Sequence, residues 1–383
     1  MRPTSENMST PSSPATRPVA RFMPLPDEIA RTGITTAIEI WLDAGSGRGL
    51  PAAGKLVNIV ELACHIEATA RKPGNVHPTA SFVDLSYADF IQAGTRLGTF
   101  CGLRHVGHGE KSLALGEFIE QATRASQGNA PSNVNLGIVL LMAPLILTWR
   151  EGINRAEWEM ATANLVGGST IEDAAATFRA IAASRPGGMG KVAEQDVAAP
   201  PTVTLLAAME LAKERDQIAA CYATGFQPLF QAWLPCLERW IEVVTSAAVY
   251  PGATAASPSS VLLAPPNWEN APWWELATIG LQLEMLAKSG DSLITRKNGL
   301  EVGRKVQEFA GQVLLAKWPH TDASWTLLDE FDNWLRADGH KRNPGTTADF
   351  IAATWLIYLR SRIRCADHIQ YATPYTSVDH VDF

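Results

Sequence analysis

Two carboxylates stand where the helical period puts apolar residues. Glu67 follows Val60 by seven positions and Ala63 by four, which aligns it with the stripe of Leu56, Ile59, Val60, Ala63 and Ile66. It also lies near a helix C-terminus, where the dipole disfavours negative charge. Asp216 repeats the pattern on the face of Met209, Ala212, Ala219 and Ala220. A buried carboxylate is costly unless it is paired or metal-bound. Each therefore needs compensation: a structural ion pair with Lys72 or Arg215, or a metal ion in a site for acid–base work.

Polar groups able to meet a ligand gather at the breaks between helices. The stretch "ARKPGNVHP", residues 70–78, ends a helix at Pro73 and Gly74 and presents Lys72, Asn75 and His77 beside Glu67. Three helix starts suit anions, because unpaired amides there bind phosphate. "APSNVNLG" sets Asn133 and Asn135 ahead of an apolar helix, and "SRPGGMGK" places Lys191 beside a glycine-rich turn. "HKRNPGTTADF" carries Lys341, Arg342, Asn343 and Gly345, with Thr346 as an expected N-cap and Asp349 three residues on, as in a capping box. Plain capping accounts for each start equally well. The charges of "DSLITRKNGLEVGRK" (Asp291, Arg296, Lys297, Arg304, Lys305) read as a solvated helix face, although Arg296 and Lys297 precede a glycine turn.

Other chemistries are disfavoured. "GGMGKV" lacks the Walker spacing and its Ser/Thr, and "GHGEKS" is at best a fragment of a glycine-rich loop. His105 and His108 have no third metal ligand in view, and no nucleophile elbow supports a Ser-His-Asp triad. The five cysteines are scattered without a C-x-x-C pair, which argues against disulfides and zinc and for a reducing cytoplasm. A net charge of −7 without a basic face argues against nucleic acid. The most apolar run, residues 136–149, is too short to span a bilayer comfortably and contains Pro144, so it reads as a buried, kinked core helix and not a membrane segment.

The elements that must position these residues are helices. Strand alternation is hard to find, whereas helical period recurs from about residue 31 onward. Examples are "KSLALGEFIEQATRAS", "TVTLLAAMELAKERDQIAACYATGF" and "TADFIAATWLIYLRSRI", separated by Gly/Pro punctuation. The expected fold is all-α, a single multi-helix domain over residues 31–383 with a buried nucleotide pocket. A disordered tail rich in Pro, Ser and Thr over residues 1–30 precedes it, and a loop insertion of small residues falls at 251–270. The chain is compatible with a homo-oligomer.

The motifs, taken in order, resemble the triphosphoribosyl-dephospho-CoA synthase family, all-helical enzymes that make the prosthetic-group precursor of citrate and malonate lyases. The segments that carry the resemblance include "ACHIEATARKPGNVHP", "NVNLGIVLLMAPL", "RPGGMGKVAEQDV", "AMELAKERDQIAACYATGF", "DSLITRKNGLEVGRKVQEFAG" and "LRADGHKRNPGTTADFIAATWLI". The most specific elements are E-x(4)-KPG and the final PG-x-x-AD-x-x-A; only the region before about residue 50 and the loop near 251–270 are uncovered. The resemblance implies a pentosyl transfer: the 5-triphosphoribosyl group of ATP moves to the ribose 2′-hydroxyl of 3′-dephospho-CoA, and adenine leaves. It further implies Glu67, Asp216 and Asp349 as acid–base groups or Mg²⁺ ligands. Lys72, Arg296, Lys297 and Arg342 would contact phosphates; Gly74, Asn75, His77, Asn133, Asn135, Arg215, Asn343, Gly345 and Thr346 would complete the ATP site.

Lyase-associated members read PKPG-x-VD, whereas here Arg71 precedes Lys72 and His77 replaces the acid. The chain is more similar to the archaeal and methylotroph-like branch, which leaves room for a related acceptor. Two other readings stay open: an ATP-dependent ligase or phosphotransferase making another coenzyme, such as a one-carbon carrier, and a non-catalytic nucleotide-binding protein.

Overall fold

The computed structural model describes residues 26–43, 52–106, 113–128, 134–184, 199–246, 268 and 271–362. Among these, helical periodicity becomes fifteen α-helices, one π-helical turn and no strand. The first seven are α1 (Pro26–Asp43), α2 (Ala52–Thr69), α3 (Tyr87–Val106), α4 (Leu115–Gln127), α5 (Leu136–Thr148), α6 (Arg155–Gly167) and α7 (Ile171–Ser184). Then come α8 (Leu205–Ala212), α9 (Gln217–Ala223), the π-helical turn Pro228–Trp233 and α10 (Leu234–Thr245). The last five are α11 (Trp273–Ser289), α12 (Ser292–Asn298), α13 (Leu300–Leu315), α14 (Asp322–Arg336) and α15 (Gly345–Ser361). The all-α expectation therefore holds. Helix α1 begins at Pro26, five residues inside the segment read as a tail, with proline at a position that needs no amide donor. Residues 1–25 and the loop insertion, apart from Trp268, lie outside the described residues.

Three helices form the centre because they are apolar on nearly every face. Helices α5, α11 and α15 bury most of their residues, and α15 packs against α2, α5 and α11. One contiguous core runs from Ile34 to Leu359. Several polar groups inside it find partners, as most buried groups do. The Tyr222 hydroxyl donates to the Leu140 carbonyl at 2.7 Å, and the Trp355 indole donates to Thr278 Oγ1 at 3.0 Å. Cys64, Cys101, Cys221 and Cys236 are free and buried, and burial pushes their thiols up. Among the described residues, no helix is long and apolar enough to cross a membrane.

Two sequence expectations need correction here. The stretch from Thr204 to Ala223 is not one helix: it breaks after Ala212, and Asp216 caps α9 instead of lying on a continuous apolar face. Asp216 Oδ1 accepts from the amides of Ile218 (2.8 Å) and Ala219 (3.1 Å), which satisfies donors that a helix start would otherwise leave bare. Thr346 is not the N-cap of α15. That position belongs to Pro344, and the cap is supplied from another helix, as described below.

Candidate active site

The opening break is built from buried ion pairs. Lys72 is fully buried; its Nζ lies 3.1 Å from Glu67 Oε1 and also donates to the Glu67 carbonyl. Burial works against both charges, lowering the Lys72 pKa and raising that of Glu67, while each partner pulls the other back. Next door, Arg71 holds the fully buried Glu275 of α11 through Nε (2.7 Å), Nη2 (2.9 Å) and its own amide (3.0 Å). The Arg71 guanidinium lies 3.9 Å from the centre of the Trp268 ring. Gly74 turns the chain at φ +76°, where a Cβ would approach Leu335 and Pro344 to 2.9 Å. Its amide donates to Asp332 Oδ1 at 2.7 Å. Asn75 is spent on the same junction: Nδ2 donates to Asn343 Oδ1 (2.7 Å), and Oδ1 accepts from Gln282 (2.8 Å).

Asp349 differs from the other carboxylates. It lies two residues after the buried Thr347, partly exposed, with its carboxylate packed on Gly137 at the start of α5. The Ile138 amide donates to it, so it sits at the positive end of that helix. Burial nevertheless raises its pKa well above the usual carboxylate range, and Glu67, Asp291 and Asp216 raise it further. Glu67 has Lys72, and Asp216 Oδ2 pairs with Arg296 Nη1. Asp349 has no ion pair among the described residues. Beside it, at the N-cap of α5, Asn135 is buried (4% exposed) and its Nδ2 has no partner among the described residues.

One carboxylate ties two helix starts together. Asp291 Oδ1 accepts from Leu293 (2.9 Å) and Ile294 (3.0 Å), capping α12. Its Oδ2 accepts from the Thr347 amide (2.8 Å) and hydroxyl (2.9 Å), capping α15 from across the fold. Far from being part of a solvated face, Asp291 is 1% exposed.

The family-model comparison bears on this arrangement directly. A model described as ATP:dephospho-CoA triphosphoribosyl transferase matches residues 53–251 and 266–367. The chain belongs to that family. No curated protein is significantly similar in sequence. A crystal structure from Archaeoglobus fulgidus, assigned as a triphosphoribosyl-dephospho-CoA synthase, is similar at 20% identity with a TM-score of 0.45. That match covers 73% of this chain and 99% of that one.

Within this member of the family, several residues expected to touch ATP have other duties. Lys72 is closed off by Glu67, Asn75 and Asn343 bond each other, and Gly74 serves the turn. Arg342 donates to the Trp334 carbonyl at 2.9 Å and stacks on its ring at 4.6 Å. The expected compensation of Asp216 by Arg215 is replaced by Arg296, and Arg215 is exposed. His77 is buried and its pKa is lowered to about 3, chiefly by burial, then by Arg336, Lys72, Arg71 and Arg31. Its ring is therefore neutral at physiological pH. Thr346 Oγ1 lies 3.2 Å from Ser292 Oγ, and Lys297 stands exposed in the last turn of α12. Gly345 opens α15 against Leu293. Asn133 and the glycine-rich turn with Lys191 lie outside the described residues.

Glu67 and Asp216 are thus each within electrostatic reach of Asp349, but not as a metal cage. Among the described residues no three His, Cys, Asp or Glu side chains form a group that could hold a metal ion. A concavity of about 420 Å³ between α4 and α7 is lined by Glu117, Glu120, Arg124 and Arg179 and shares no residue with this site. Sequence reading missed Glu275 and Gly137 and placed Asp291 on a solvated face. Glu275, in the first turn of the apolar helix α11, is a carboxylate among buried apolar residues, as Glu67 is.

Gly137 supports a direct test. A Cβ there would collide with the Asp349 carboxylate. Gly137→Ala is expected to displace that group and lower kcat/KM about a hundredfold, the scale of an ångström-sized misplacement, with helix content unchanged by circular dichroism. Unaltered kinetics would show that the contact does not position Asp349.

Proposed function

We propose that the protein transfers the 5-triphosphoribosyl group of ATP to the 2′-hydroxyl of 3′-dephospho-CoA, or of a closely related acceptor, and releases adenine. The observation that carries this reading is Asp349: a carboxylate held at the start of α5, pushed up by burial and three neighbouring acids, with no cation of its own. Such a group suits a reaction in which positive charge develops at C1′. The C1′–N9 bond breaks with its electrons going to the adenine, which takes up a proton. The acceptor oxygen bonds C1′, and its proton passes to Asp349.

Phosphate oxygens would lie against the cations that keep some exposure, Arg215, Arg296 and Lys297, with Asn135 and Thr346 as further donors. Arg296 keeps an unpartnered Nε for this purpose among the described residues. An all-oxygen, net-negative set fits Mg²⁺, which takes one or two carboxylates and completes its shell with phosphate oxygens and water. Asp349 and Asp216 are the residues that would hold it, and its role would be to neutralise the triphosphate. Lys72, fully buried and paired with Glu67, does not contact phosphate in this reading.

Incubation of the protein with Mg²⁺-ATP and dephospho-CoA is expected to release free adenine. It should also yield an adduct heavier than dephospho-CoA by the triphosphoribosyl group, both read by mass analysis. ADP or AMP in place of adenine would point to ligation or phosphoryl transfer, and unchanged ATP with every acceptor would leave a binding protein.

A further inference from the structure

Helix α9, the π-helical turn, the end of α11 and the start of α15 enclose a cavity of about 150 Å³. Its walls are Ala220, Cys221, Trp233, Met285 and Phe350, and Gln217, Ser289, Gly290 and Thr347 form its polar rim. A cavity of this size holds one aromatic ring. The indole, phenyl and thioether walls suit a flat π-system. One edge is polar in a specific sense: the carbonyls of Ser289 and Gly290 each accept from Gln217 Nε2 at 3.2 Å, and each keeps a second lone pair. They end α11, so the helix dipole adds negative character and selects a donor.

The backbone alongside is irregular. Phe226 is fully buried at φ +66°, and the π-helical turn follows it directly. Both features are frequent at ligand sites. Rim residues Gln217, Gly290 and Thr347 adjoin Asp216, Asp291 and Thr346 in the chain, so the cavity and the carboxylate site share the starts of α9, α12 and α15.

We infer that this cavity takes the six-membered ring of an adenine base, whose exocyclic amine donates to the carbonyls of Ser289 and Gly290. The inference rests on the reading of the site as one that uses ATP. Both substrates of that reaction carry adenine, so either could supply the ring. With that ring inside, the imidazole ring and its ribose lie at the mouth, where Thr347 meets Asp291. A base with a carbonyl in place of the amine would face two carbonyls and be rejected.

Calorimetric titration of the full chain tests this. The ligands are ATP, ITP, dephospho-CoA and inorganic tripolyphosphate, each against wild type, Ala220→Leu and Trp233→Ala, with thermal melts to confirm folding. Ala220→Leu fills the cavity and Trp233→Ala removes a stacking wall, so a variant that fails to fold leaves the other to decide. The expected result is binding of one adenine compound weakened about tenfold or more with tripolyphosphate unchanged. ITP should bind wild type about tenfold more weakly than ATP if the donor is the occupant. Loss confined to ATP assigns the cavity to the donor, and loss confined to dephospho-CoA assigns it to the acceptor. Unchanged binding of both in a folded variant overturns the inference. Wild-type binding of ATP without adenine release would sink the transferase reading and leave the base subsite standing.

Discussion

Asp349→Asn is expected to lower the rate of adenine release by about a hundredfold to ten-thousandfold, the usual contribution of a positioned acid–base group. The same substitution should leave the protein as stable as the wild type or more so. The Asp349 pKa is raised in the folded state, so above that value the ionised carboxylate costs stability that an amide does not. As pH falls from the folded pKa toward the unfolded value, the wild type binds a proton preferentially when folded and recovers this cost. The melting-temperature advantage of Asp349→Asn should therefore be largest in mildly alkaline buffer and shrink as pH falls through the folded pKa. Stability exchanged for activity is the signature of a group kept for chemistry. Full activity in the variant would remove Asp349 from the mechanism.

Lys72→Met is expected to be the most damaging change to the fold. It leaves Glu67, 5% exposed, without its counter-charge, and breaking a buried pair this way costs about 3–5 kcal/mol. Chemical denaturation should show the midpoint falling with an unchanged slope. Adding Glu67→Gln to Lys72→Met should restore much of the loss, since a neutral amide needs no counter-charge. A double variant no more stable than Lys72→Met alone would mean that the ammonium acts through the Glu67 carbonyl, which it also holds, and not through the carboxylate. The pair also changes how Glu67→Ala is read: it strands Lys72 in the interior, so lost turnover in that variant would report folding as much as chemistry.

Helical period and Gly/Pro punctuation were enough to read the all-α class, and the apolar stripe of α2 was enough to single out Glu67. The break was legible to within a few residues: α2 ends at Thr69, ahead of the Pro73 and Gly74 that were expected to stop it, and Gly74 turns the chain at φ +76°, a conformation that glycine tolerates. Asp216 was chosen on a face that does not exist, because spacing along an uninterrupted helix cannot show that the helix stops at Ala212. Its Arg296 partner follows from a contact between residues 80 positions apart. Asp291 was placed on a solvated face for the same physical reason: its second oxygen caps Thr347, 56 residues away. Asn75 and Asn343 looked like ligand donors because sequence shows which groups can bond and not which have already bonded. The family motifs assign to phosphate several side chains that here hold the scaffold, among them Lys72, Asn75 and Arg342.

The two caps made by Asp291 have a mechanical consequence. Helix α12 carries Arg296 and Lys297, α15 carries Asp349, and a single carboxylate joins the first turns of both. Neither turn can rotate or slide without breaking hydrogen bonds of the other, so cationic and acidic sides of the site keep a fixed spacing before any ligand arrives. Domain closure across this junction is therefore not how the site adapts. The reorganisation that a mobile pair of helices would undergo at each turnover has already been made during folding, once, and is shared by every catalytic cycle that follows.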